Sequence, residues 1–423
     1  MKTIPYSPID EKIAERLGRI LPDLTSEELQ NAQLETIREM LARIKSESIF
    51  YKELLKDIDP EEIRSFSDFR TLPVTTEKDL AGNENVFQCV SPKDVQRIIT
   101  VPTTGTHGKQ KRLAFTLSDL KLALDFSYIA FTTFCEDGDR ILVFMSGNTP
   151  GGVGDSIRRS LEPLNAETHV YGAVENIPDA FEFMVSYAPD IIVGIPCQIA
   201  ALAEYGRENG RNFTVRNVLL SSDDVPDSIC ERVKKIWKCE PFRHFGMTEL
   251  CLMGGCECHG HCGYHFRNLD HLIEIIDPDE EGYGELAVTT FSHQAMPLLR
   301  YKTGDIAKIG TSECVCGGRF PRIENVKGRL SNSFLTGGKR VFLRDIEEII
   351  FSCDRVIDFE CMLRNRTLEV EIRTLPGASA DTALLSDIRN SLEKLIEDDI
   401  SIEITSSEMT GFNLGYNAKK TLN

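Results

Sequence analysis

The sequence predicts an α/β protein in two parts, a large α/β domain followed by a small α+β domain. The first observation is that short apolar, β-branched runs alternate with longer amphipathic stretches from about residue 97 onward. Strands that alternate with helices are typical of a sheet covered by helices on both faces. The second observation is that the pattern changes after Gly328 to strand, helix, two strands, helix and strand. A chain of 423 residues has room for this division, since domains contain roughly 100–200 residues.

The individual elements follow from hydrophobic periodicity. Residues 9–66 have helical spacing, and Leu24-Thr25-Ser26-Glu27-Glu28 is typical of a helix start. Buried strands are predicted at 140–145, 190–195 and 216–220, and helices at 117–132, 178–187, 198–208 and 226–237. Two strands are predicted at 271–276 and 285–290. The small domain is predicted to have strands at 340–343, 356–363, 367–373 and 401–404 and helices at 344–351 and 382–395, with a flexible entry at Gly337-Gly338.

The composition limits the classes of function. A net charge of −18 repels nucleic-acid backbones and anionic lipid surfaces, so neither nucleic acid nor membrane is an expected partner. No run approaches the roughly 20 apolar residues that span a bilayer, and the N-terminus has no apolar signal-peptide core. The 13 cysteines are therefore expected to be reduced thiols in the cytoplasm, where a clustered subset can bind metal.

A loop rich in glycine and hydroxyl groups follows a strand predicted at 95–101. Its sequence, TTGTHGKQK at 103–111, gives a tight turn with exposed backbone N–H groups and two lysines, which together can wrap polyphosphate oxygens. It is not a Walker A motif, because Lys109 is followed by Gln110 instead of serine or threonine. Taken alone, the loop is equally well interpreted as a polar hairpin turn.

Two later segments favour the phosphate-binding interpretation. Phe245-Gly246-Met247-Thr248-Glu249 ends a predicted strand, and Tyr301-Lys302-Thr303-Gly304-Asp305 follows farther along. In this order, the three segments resemble the phosphate loop, the aromatic-Gly-x-Thr-Glu motif and the Tyr-Arg-Thr-Gly-Asp motif of the adenylate-forming superfamily. The segments 48–51 and 66–76 and the clustered cysteines resemble the phenylacetate-CoA ligase-like branch, which includes coenzyme F₃₉₀ synthetase-like proteins.

The resemblance implies an enzyme that joins a carboxylic acid, with an aromatic acid as one candidate, to the α-phosphate of ATP and passes the acyl group to a thiol. It implies an adenylation domain at 1–327 and a small mobile domain at 328–423, joined by a hinge at 327–332. The implied cofactors are ATP or AMP, Mg²⁺, CoA and a structural Zn²⁺. The implied partners are a small carboxylic acid and either CoA or a carrier protein, and a homodimer is one option for the assembly.

The resemblance also implies roles for individual residues. The β- and γ-phosphates would be held by Thr103, Thr104, Gly105, Thr106, Gly108 and Lys109. Thr248 would contact the α-phosphate, Glu249 would bind Mg²⁺, and Asp305 would accept hydrogen bonds from both ribose hydroxyls. The nucleotide pocket would include Ser221, Ser222, Asp223, His244, Phe245, Gly246 and Met247, and Arg329 would lie at the hinge.

A dense cluster of cysteine and histidine predicts a metal centre. Residues 256–265 contain three cysteines and three histidines, and residues 314–318 add a close cysteine pair. Thiolates at this spacing are suited to tetrahedral Zn²⁺. By resemblance to several members of the branch, the ligands would be Cys258, His265, Cys314 and Cys316. The excess donors Cys256, His259, His261 and Cys262 leave that choice open, and a reduced cluster without metal is the alternative.

Two positions depart from the family pattern. Leu330 follows Arg329 where the family usually has aspartate, and Tyr416 occupies the place of the C-terminal lysine that stabilises adenylate formation. Lys419 is the predicted catalytic replacement, with Lys420 as its rival. These departures leave two alternatives to CoA ligation. One is an adenylating enzyme with a different acceptor, and the other is a catalytically silent nucleotide- or acyl-binding protein.

Overall fold

The computed structural model describes residues 4–101, 110–147, 149–252, 254–377, 382–397, 399–411 and 420–422. The chain forms two compact units, each built from two separate stretches of sequence. Unit 1 contains Met1–Thr133 and Phe245–Val326, and unit 2 contains Phe134–His244 and Lys327–Asn423. Within the described ranges, no helix combines the length and the apolar character needed to cross a bilayer.

Helices and strands alternate along the described chain. The helices are α1 (Pro8–Arg16), α2 (Ser26–Glu47), α3 (Ile49–Leu54), α4 (Phe66–Arg70), α5 (Glu77–Leu80), α6 (Glu84–Phe87), α7 (Leu117–Phe131), α8 (Val153–Ser160), α9 (Ile177–Tyr187), α10 (Pro196–Glu208), α11 (Asp227–Trp237), α12 (Leu343–Ser352) and α13 (Thr382–Leu395). The strands are β1 (Arg97–Val101), β2 (Lys111–Phe115), β3 (Arg140–Phe144), β4 (Glu167–Val170), β5 (Ile191–Gly194), β6 (Asn217–Leu220), β7 (Glu240–Gly246), β8 (Gly254–Glu257), β9 (Tyr264–Phe266), β10 (His271–Ile276), β11 (Gly284–Thr290), β12 (Tyr301–Gly310), β13 (Arg322–Arg329), β14 (Ser333–Thr336), β15 (Lys339–Phe342), β16 (Val356–Arg364), β17 (Thr367–Thr374) and β18 (Ser401–Glu408).

The long helix α2 of unit 1 begins at the predicted start signal. The Glu28 carboxylate accepts a hydrogen bond from the Thr25 N–H at 2.9 Å, and the Thr25 hydroxyl accepts one from the Glu28 N–H at 3.2 Å. These two bonds satisfy N–H groups that have no partner within the helix. The predicted helix start is therefore confirmed.

The strands of unit 1 include a hairpin and a larger sheet. In the larger sheet, β10, β11, β12, β13, β9 and β8 are neighbours in that order. Strands β10 and β11 pair antiparallel, with His271 opposite Thr290, which confirms the two strands predicted at 271–276 and 285–290. Strands β1 and β2 pair antiparallel on either side of the glycine-rich loop.

The first part of unit 2 is a parallel sheet. Its strand order is β4, β3, β5, β6, β7, and each neighbouring pair is parallel. Every residue of β5 and β6 is buried, which explains why these runs are apolar or β-branched without polar alternation. The strands predicted at 140–145, 190–195 and 216–220 are confirmed as β3, β5 and β6. Because the strands are parallel, their carboxyl ends share one edge, where ligands bind in such sheets.

The second part of unit 2 contains a sheet of β16, β17 and β18. Strands β16 and β17 are antiparallel, whereas β17 and β18 are parallel. Strand β18 is twice as long as the predicted strand at 401–404, because it pairs along the whole of β17 from Thr367 to Thr374. The extra residues, 405–408, are mostly polar and exposed, so their own sequence carries no strand signal.

The residues predicted as a flexible entry, Gly337-Gly338, lie in a hairpin turn, and their flexibility stays a prediction. The two glycines form a tight turn between β14 and β15, with Thr336 paired to Lys339. Their φ angles of 51° and 81° are both positive, as a two-residue hairpin turn of this hand requires. Strand β14 was not predicted, because four residues are too few to show a clear alternation.

The chain crosses from unit 1 to unit 2 for the last time between Val326 and Lys327, at the start of the predicted hinge. Within unit 2, the buried Arg232 of α11 donates hydrogen bonds to backbone carbonyl oxygens at the end of α12 and the start of β16. The functional division into 1–327 and a mobile 328–423 stays a prediction, because compactness does not define movement.

Candidate nucleotide site and metal centre

The predicted Thr-Glu motif lies on a short turn in unit 1. Thr248–Leu250 form one turn of 3₁₀-helix directly after β7. The chain then reverses through Cys251 and Leu252, whose φ angles of 59° and 61° lie in the left-handed region that costs roughly 1–2 kcal/mol per residue. At Gly254 the chain lies close to Phe245. A Cβ atom at this position would lie 1.8 Å from the Phe245 carbonyl oxygen, so the close approach requires glycine. The turn leaves Glu249 buried.

Glu249 pairs with a lysine at the end of the predicted phosphate loop. The Lys111 Nζ lies 2.6 Å from Glu249 Oε1, and both side chains are more than nine-tenths buried. The same nitrogen lies 3.5 Å from the Tyr301 hydroxyl and 3.6 Å from a Glu77 carboxylate oxygen. Lys111 is the first residue of β2 and Tyr301 is the first residue of β12. The cluster therefore joins the three motifs that the sequence singled out.

No local motif assigns Lys111 a role of its own. Lys111 and Glu249 are 138 positions apart, so no local pattern links them. The only available signal was the place of Lys111 as the last basic residue of the glycine-rich loop. The structure thus adds Lys111 to the candidate site.

Asp305 lies on the same strand as Tyr301. It is only 4 % exposed and follows Gly304, which has a φ angle of 81°. The Asp305 N–H donates a hydrogen bond to the Thr303 hydroxyl at 3.1 Å, and that hydroxyl donates to the Leu286 carbonyl of β11 at 3.1 Å. The backbone beside Asp305 is therefore tied to the neighbouring strand.

In unit 2, Ser221, Ser222 and Asp223 follow β6 at its carboxyl end. The Ser221 hydroxyl lies 2.9 Å from Nδ1 of His244, so the structure brings these two predicted residues together. Burial lowers the pKa of His244 to about 4, so its imidazole is neutral at pH 7. Ser222 has a left-handed φ of 78°, and the Asp223 carboxylate accepts a hydrogen bond from the next backbone N–H at 3.0 Å.

The remaining residues that the sequence singled out for the nucleotide site, the hinge and the catalytic lysine fall into two groups. Phe245, Gly246 and Met247 precede Thr248 in unit 1, and Arg329 ends β13 in unit 2. The second group lies outside the described residues and comprises Thr103, Thr104, Gly105, Thr106, Gly108, Lys109, Tyr416 and Lys419. The two ends of the glycine-rich loop are nevertheless adjacent, because Val101 pairs with Lys111.

Four predicted metal ligands come together in unit 1, and we call Cys258, His265, Cys314 and Cys316 the Cys₃His cluster. One donor atom from each residue lies within 4.8 Å of the other three, and all four residues are buried. The Cys258 and Cys314 sulfurs are 3.7 Å apart, and Cys316 Sγ is 3.8 Å from His265 Nε2. Thiolates bound to one tetrahedral Zn²⁺ at about 2.3 Å have about this separation. The donor set and its spacing fit Zn²⁺.

A buried carboxylate orients the histidine of the Cys₃His cluster. Asp10 Oδ2, from α1, lies 3.0 Å from His265 Nδ1. A hydrogen bond at Nδ1 leaves Nε2 available to a metal, as is usual for histidine ligands. A Cβ atom at Gly318 would lie 2.2 Å from Asp10 Oδ2, so glycine leaves the room for this contact. Sequence reasoning missed Asp10, because it lies 255 positions from His265.

The other donors of the 256–265 segment have different surroundings. His259 Nε2 lies 2.8 Å from a backbone carbonyl oxygen, and His261 Nδ1 lies 3.3 Å from the Glu257 carboxylate. Cys256 is buried within β8, and Cys262 packs beside the sulfurs without joining their common donor set. In the part of the chain that the structure describes, the Cys₃His cluster is the one group with metal-binding spacing.

The fold is that of the adenylate-forming ligases. The crystal structure of 2-hydroxyisobutyryl-CoA ligase in the postadenylation state matches with a TM-score of 0.77 and 16 % identity, over 90 % of this chain and 87 % of that chain. The structure of an anthranilate CoA ligase matches with a TM-score of 0.55 and 14 % identity, over 74 % of this chain and 63 % of that chain. These likenesses confirm the predicted fold class.

Curated sequences narrow the resemblance. The phenylacetate-coenzyme A ligase of Thermus thermophilus is 24 % identical over 361 residues, which cover 80 % of this chain and 78 % of that protein. The enzyme of the same name from Escherichia coli is 23 % identical over 336 residues, covering 75 % and 72 %. A fumarate–(S)-2,3-diaminopropanoate ligase of Enterobacter agglomerans is 19 % identical over 310 residues, covering 71 % and 75 %. No protein-family model matches the sequence. The predicted resemblance to phenylacetate-CoA ligases is confirmed.

Proposed function

We propose that the protein is an ATP-dependent, AMP-forming ligase that activates a carboxylic acid as its acyl-adenylate and transfers the acyl group to the thiol of CoA. The observation that carries the proposal is the cluster of Lys111, Glu249 and Tyr301, which joins three motifs predicted to bind the nucleotide, on the fold of the CoA ligases. The long matches to phenylacetate-coenzyme A ligases support the same class of enzyme.

In the adenylation step, an oxygen of the acid attacks the α-phosphorus of ATP and pyrophosphate leaves. Thr248 is placed on the turn beside Glu249, where it would contact the α-phosphate. The buried Glu249 carboxylate fits a hard cation, and Mg²⁺ bound there would offset the negative charge of the phosphates. Lys111 would contribute positive charge at the end of the phosphate loop. Asp305 would hold the ribose, as predicted.

The other assignments remain part of the proposal. They are phosphate binding by Thr103, Thr104, Gly105, Thr106, Gly108 and Lys109, nucleotide contacts by Ser221, Ser222, Asp223, His244, Phe245, Gly246 and Met247, a hinge role for Arg329 and a catalytic role for Lys419. A hinge at 327–332 would let residues 328–423 change position between the two half-reactions, as conformational steps often do in such enzymes. A cytoplasmic location also remains a proposal, supported by composition.

A structural Zn²⁺ is the second element of the proposal. The Cys₃His cluster supplies three sulfurs and one imidazole nitrogen at suitable spacing, with Asp10 behind His265. A closed four-ligand set leaves no position for substrate, so the ion would stabilise the fold and take no part in the reaction. It would link β8, β9 and the connection between β12 and β13.

A different acceptor is the second candidate function. One relative is named as a ligase of fumarate with (S)-2,3-diaminopropanoate, a pair in which the second molecule is an amine and carries no thiol. An amine or a carrier-protein thiol is therefore the alternative to CoA.

The test is ATP–pyrophosphate exchange with Mg²⁺ against a panel of aryl, fatty and amino acids. Exchange with one class of acid would support adenylation and identify the acid class. The active acid is then offered CoA, amines and a carrier protein in turn, and the consumed acceptor selects between the two candidate functions. No exchange with any acid, alongside ATP binding by calorimetry, would contradict the proposed ligase and favour a silent binding protein.

A further inference from the structure

The end of the described chain, 420–422, is held against unit 2 by Lys420. The Lys420 ammonium forms an ion pair with Asp358 of β16 and donates a hydrogen bond to the Phe359 carbonyl oxygen at 2.9 Å. Only 12 % of the Lys420 side chain and 9 % of the Asp358 side chain are exposed. The ammonium also lies 4.6 Å from the centroid of the Phe359 ring, within the range of a cation–π contact. Its charge is therefore satisfied inside unit 2.

The backbone of Lys420 makes two more contacts, each with a segment that the proposed function uses. The Lys420 N–H donates a hydrogen bond to Asp223 Oδ2 at 3.4 Å. The Lys420 carbonyl oxygen accepts a hydrogen bond from the Asn332 side-chain amide at 3.2 Å. Asp223 belongs to the segment predicted to line the nucleotide pocket, and Asn332 is the last residue of the predicted hinge. One residue thus connects β16, the hinge and the segment after β6.

A catalytic lysine must bring its ammonium to the reacting phosphate. Lys420 could do so only by leaving Asp358, and separating a buried ion pair is strongly unfavourable because the charges lose their close attraction in a place that water does not reach. Asp358 keeps a second cation, since Arg373 Nη1 lies 3.4 Å from its Oδ2. Replacement of Lys420 should therefore weaken the anchoring without unfolding unit 2.

We propose that Lys420 is a positioning residue, which anchors the C-terminal end of the described chain to the hinge and to Asp223, and that its ammonium is not the one that acts on the reacting phosphate. This inference rests on the proposed function, because it assigns a role within the same reaction. It gives Lys420 a role other than the catalytic one for which the sequence made it a rival of Lys419.

The experiment compares Lys420→Met, Lys420→Arg, Asp358→Asn and Lys419→Met in the full-length protein, with Lys394→Met of α13 as an exposed control. The measurements are the thermal unfolding midpoint and the kcat and the KM for ATP of pyrophosphate exchange. Lys420→Met is expected to lower the midpoint by about 5 °C and to raise the KM for ATP more than it lowers kcat. Lys420→Arg should recover at least half of both losses, because it keeps the positive charge. Lys419→Met, which removes the catalytic candidate of the proposed function, should lower kcat by more than about 100-fold.

A double variant tests the ion pair itself. Because Lys420 and Asp358 act together, Lys420→Met with Asp358→Asn should lower the midpoint by less than the sum of the two single effects. A Lys420→Met protein with an unchanged midpoint and a kcat lowered by more than about 100-fold, not restored in Lys420→Arg, would overturn the inference.

If the wild-type protein shows no pyrophosphate exchange, the proposed function fails, but the anchoring role of Lys420 can still be tested. The unfolding midpoints of the single and double variants and the Kd for ATP from calorimetry then replace the kinetic readouts. Additive midpoint effects together with an unchanged Kd for ATP would reject the anchor.

Discussion

At the scale of the residue, the pair of Lys111 and Glu249 is the most informative contact of unit 1. The two opposite charges are buried and lie 2.6 Å apart, so each side chain holds the other in a fixed orientation. The pair also holds the Glu249 carboxylate in position, which is the preorganisation that the proposed cation site would need. Glu77 and Tyr301 lie within 3.6 Å of the Lys111 nitrogen, so this nitrogen has polar neighbours besides Glu249.

Glu249→Gln tests the cation-binding role. Glutamine keeps the size of the side chain but removes the charge, so the variant should fold and should lose Mg²⁺-dependent pyrophosphate exchange by more than about 100-fold. Exchange is measured across a series of Mg²⁺ concentrations, with circular dichroism as the check on folding. Exchange at the wild-type rate and Mg²⁺ dependence would contradict the assigned role.

Lys111→Met tests the contribution of the pair to stability. Removing the lysine leaves a buried carboxylate without its nearest cation, and the free energy of unfolding should fall by about 3 kcal/mol. Combining Lys111→Met with Glu249→Gln should restore part of that loss, because the buried negative charge is then removed together with the lysine. Urea denaturation of the three variants measures these differences, and a Lys111→Met protein as stable as the wild type would show that the pair is not formed in solution.

At the scale of the element, the residues of the Cys₃His cluster come from segments that backbone hydrogen bonds join only in part. Strands β8 and β9 pair directly, and β9 pairs with β13 through only two residues. The cysteine pair lies in the connection between β12 and β13, and α1 reaches the cluster through Asp10. A bound ion would therefore fix the connection between β8 and β9, the strand β9, the connection between β12 and β13 and, through Asp10, the first helix in one place.

Metal analysis of the purified protein should give about one Zn²⁺ per chain. Cys314→Ser combined with Cys316→Ser should reduce the metal content to below about a tenth and lower the unfolding midpoint by several degrees, because metal binding contributes to folding. Cys262→Ser is the matched control, since Cys262 lies beside the cluster but outside the donor set, and it should retain the metal. A native protein without metal would refute the proposed centre.

At the scale of the whole molecule, three buried histidines contribute to the response of the fold to acid. Burial, reinforced by His293, lowers the pKa of His271 to about 3, and burial lowers the pKa of His293 to about 4. His244 in unit 2 has its pKa lowered to about 4 by burial as well. An unfolded chain binds protons at these groups near pH 6.5, whereas the folded chain does not. Acid therefore favours the unfolded chain.

The free energy of unfolding should be insensitive to these groups above pH 7 and should fall below about pH 6.5. Each histidine whose folded pKa lies near 3 or 4 contributes a loss of about 2 kcal/mol between pH 7 and pH 5. His271→Phe removes one such group and keeps the ring, so its stability should fall by about 2 kcal/mol less than that of the wild type over the same interval. Urea denaturation at pH 5, 6 and 7 checks the difference, and parallel pH profiles for the two proteins would contradict it.

Much of the fold could be predicted from the sequence because its signals are local. Apolar runs marked β3, β5 and β6 to within a residue or two, and Thr25 with the residues after it marked the start of α2. The strand β18 was predicted too short and β14 was missed, because both depend on pairing with a neighbour. Of the candidate site, the metal ligands were chosen by resemblance, whereas Asp10 and Lys111 act on residues 255 and 138 positions away. Contacts of that separation leave no mark on either local sequence.

The contact between Asp10 and His265 has a consequence for the order in which the chain is made. Asp10 leaves the ribosome 255 residues before His265. At a synthesis rate of about 5–20 residues per second, this interval lasts roughly 10–50 s. For that time the first helix exists without the histidine that its carboxylate orients, and the cysteines at 314 and 316 arrive later still. The nascent chain therefore carries thiols and an N-terminal helix before their partners are complete, and this is the stage of its life at which chaperones and the supply of zinc would matter most.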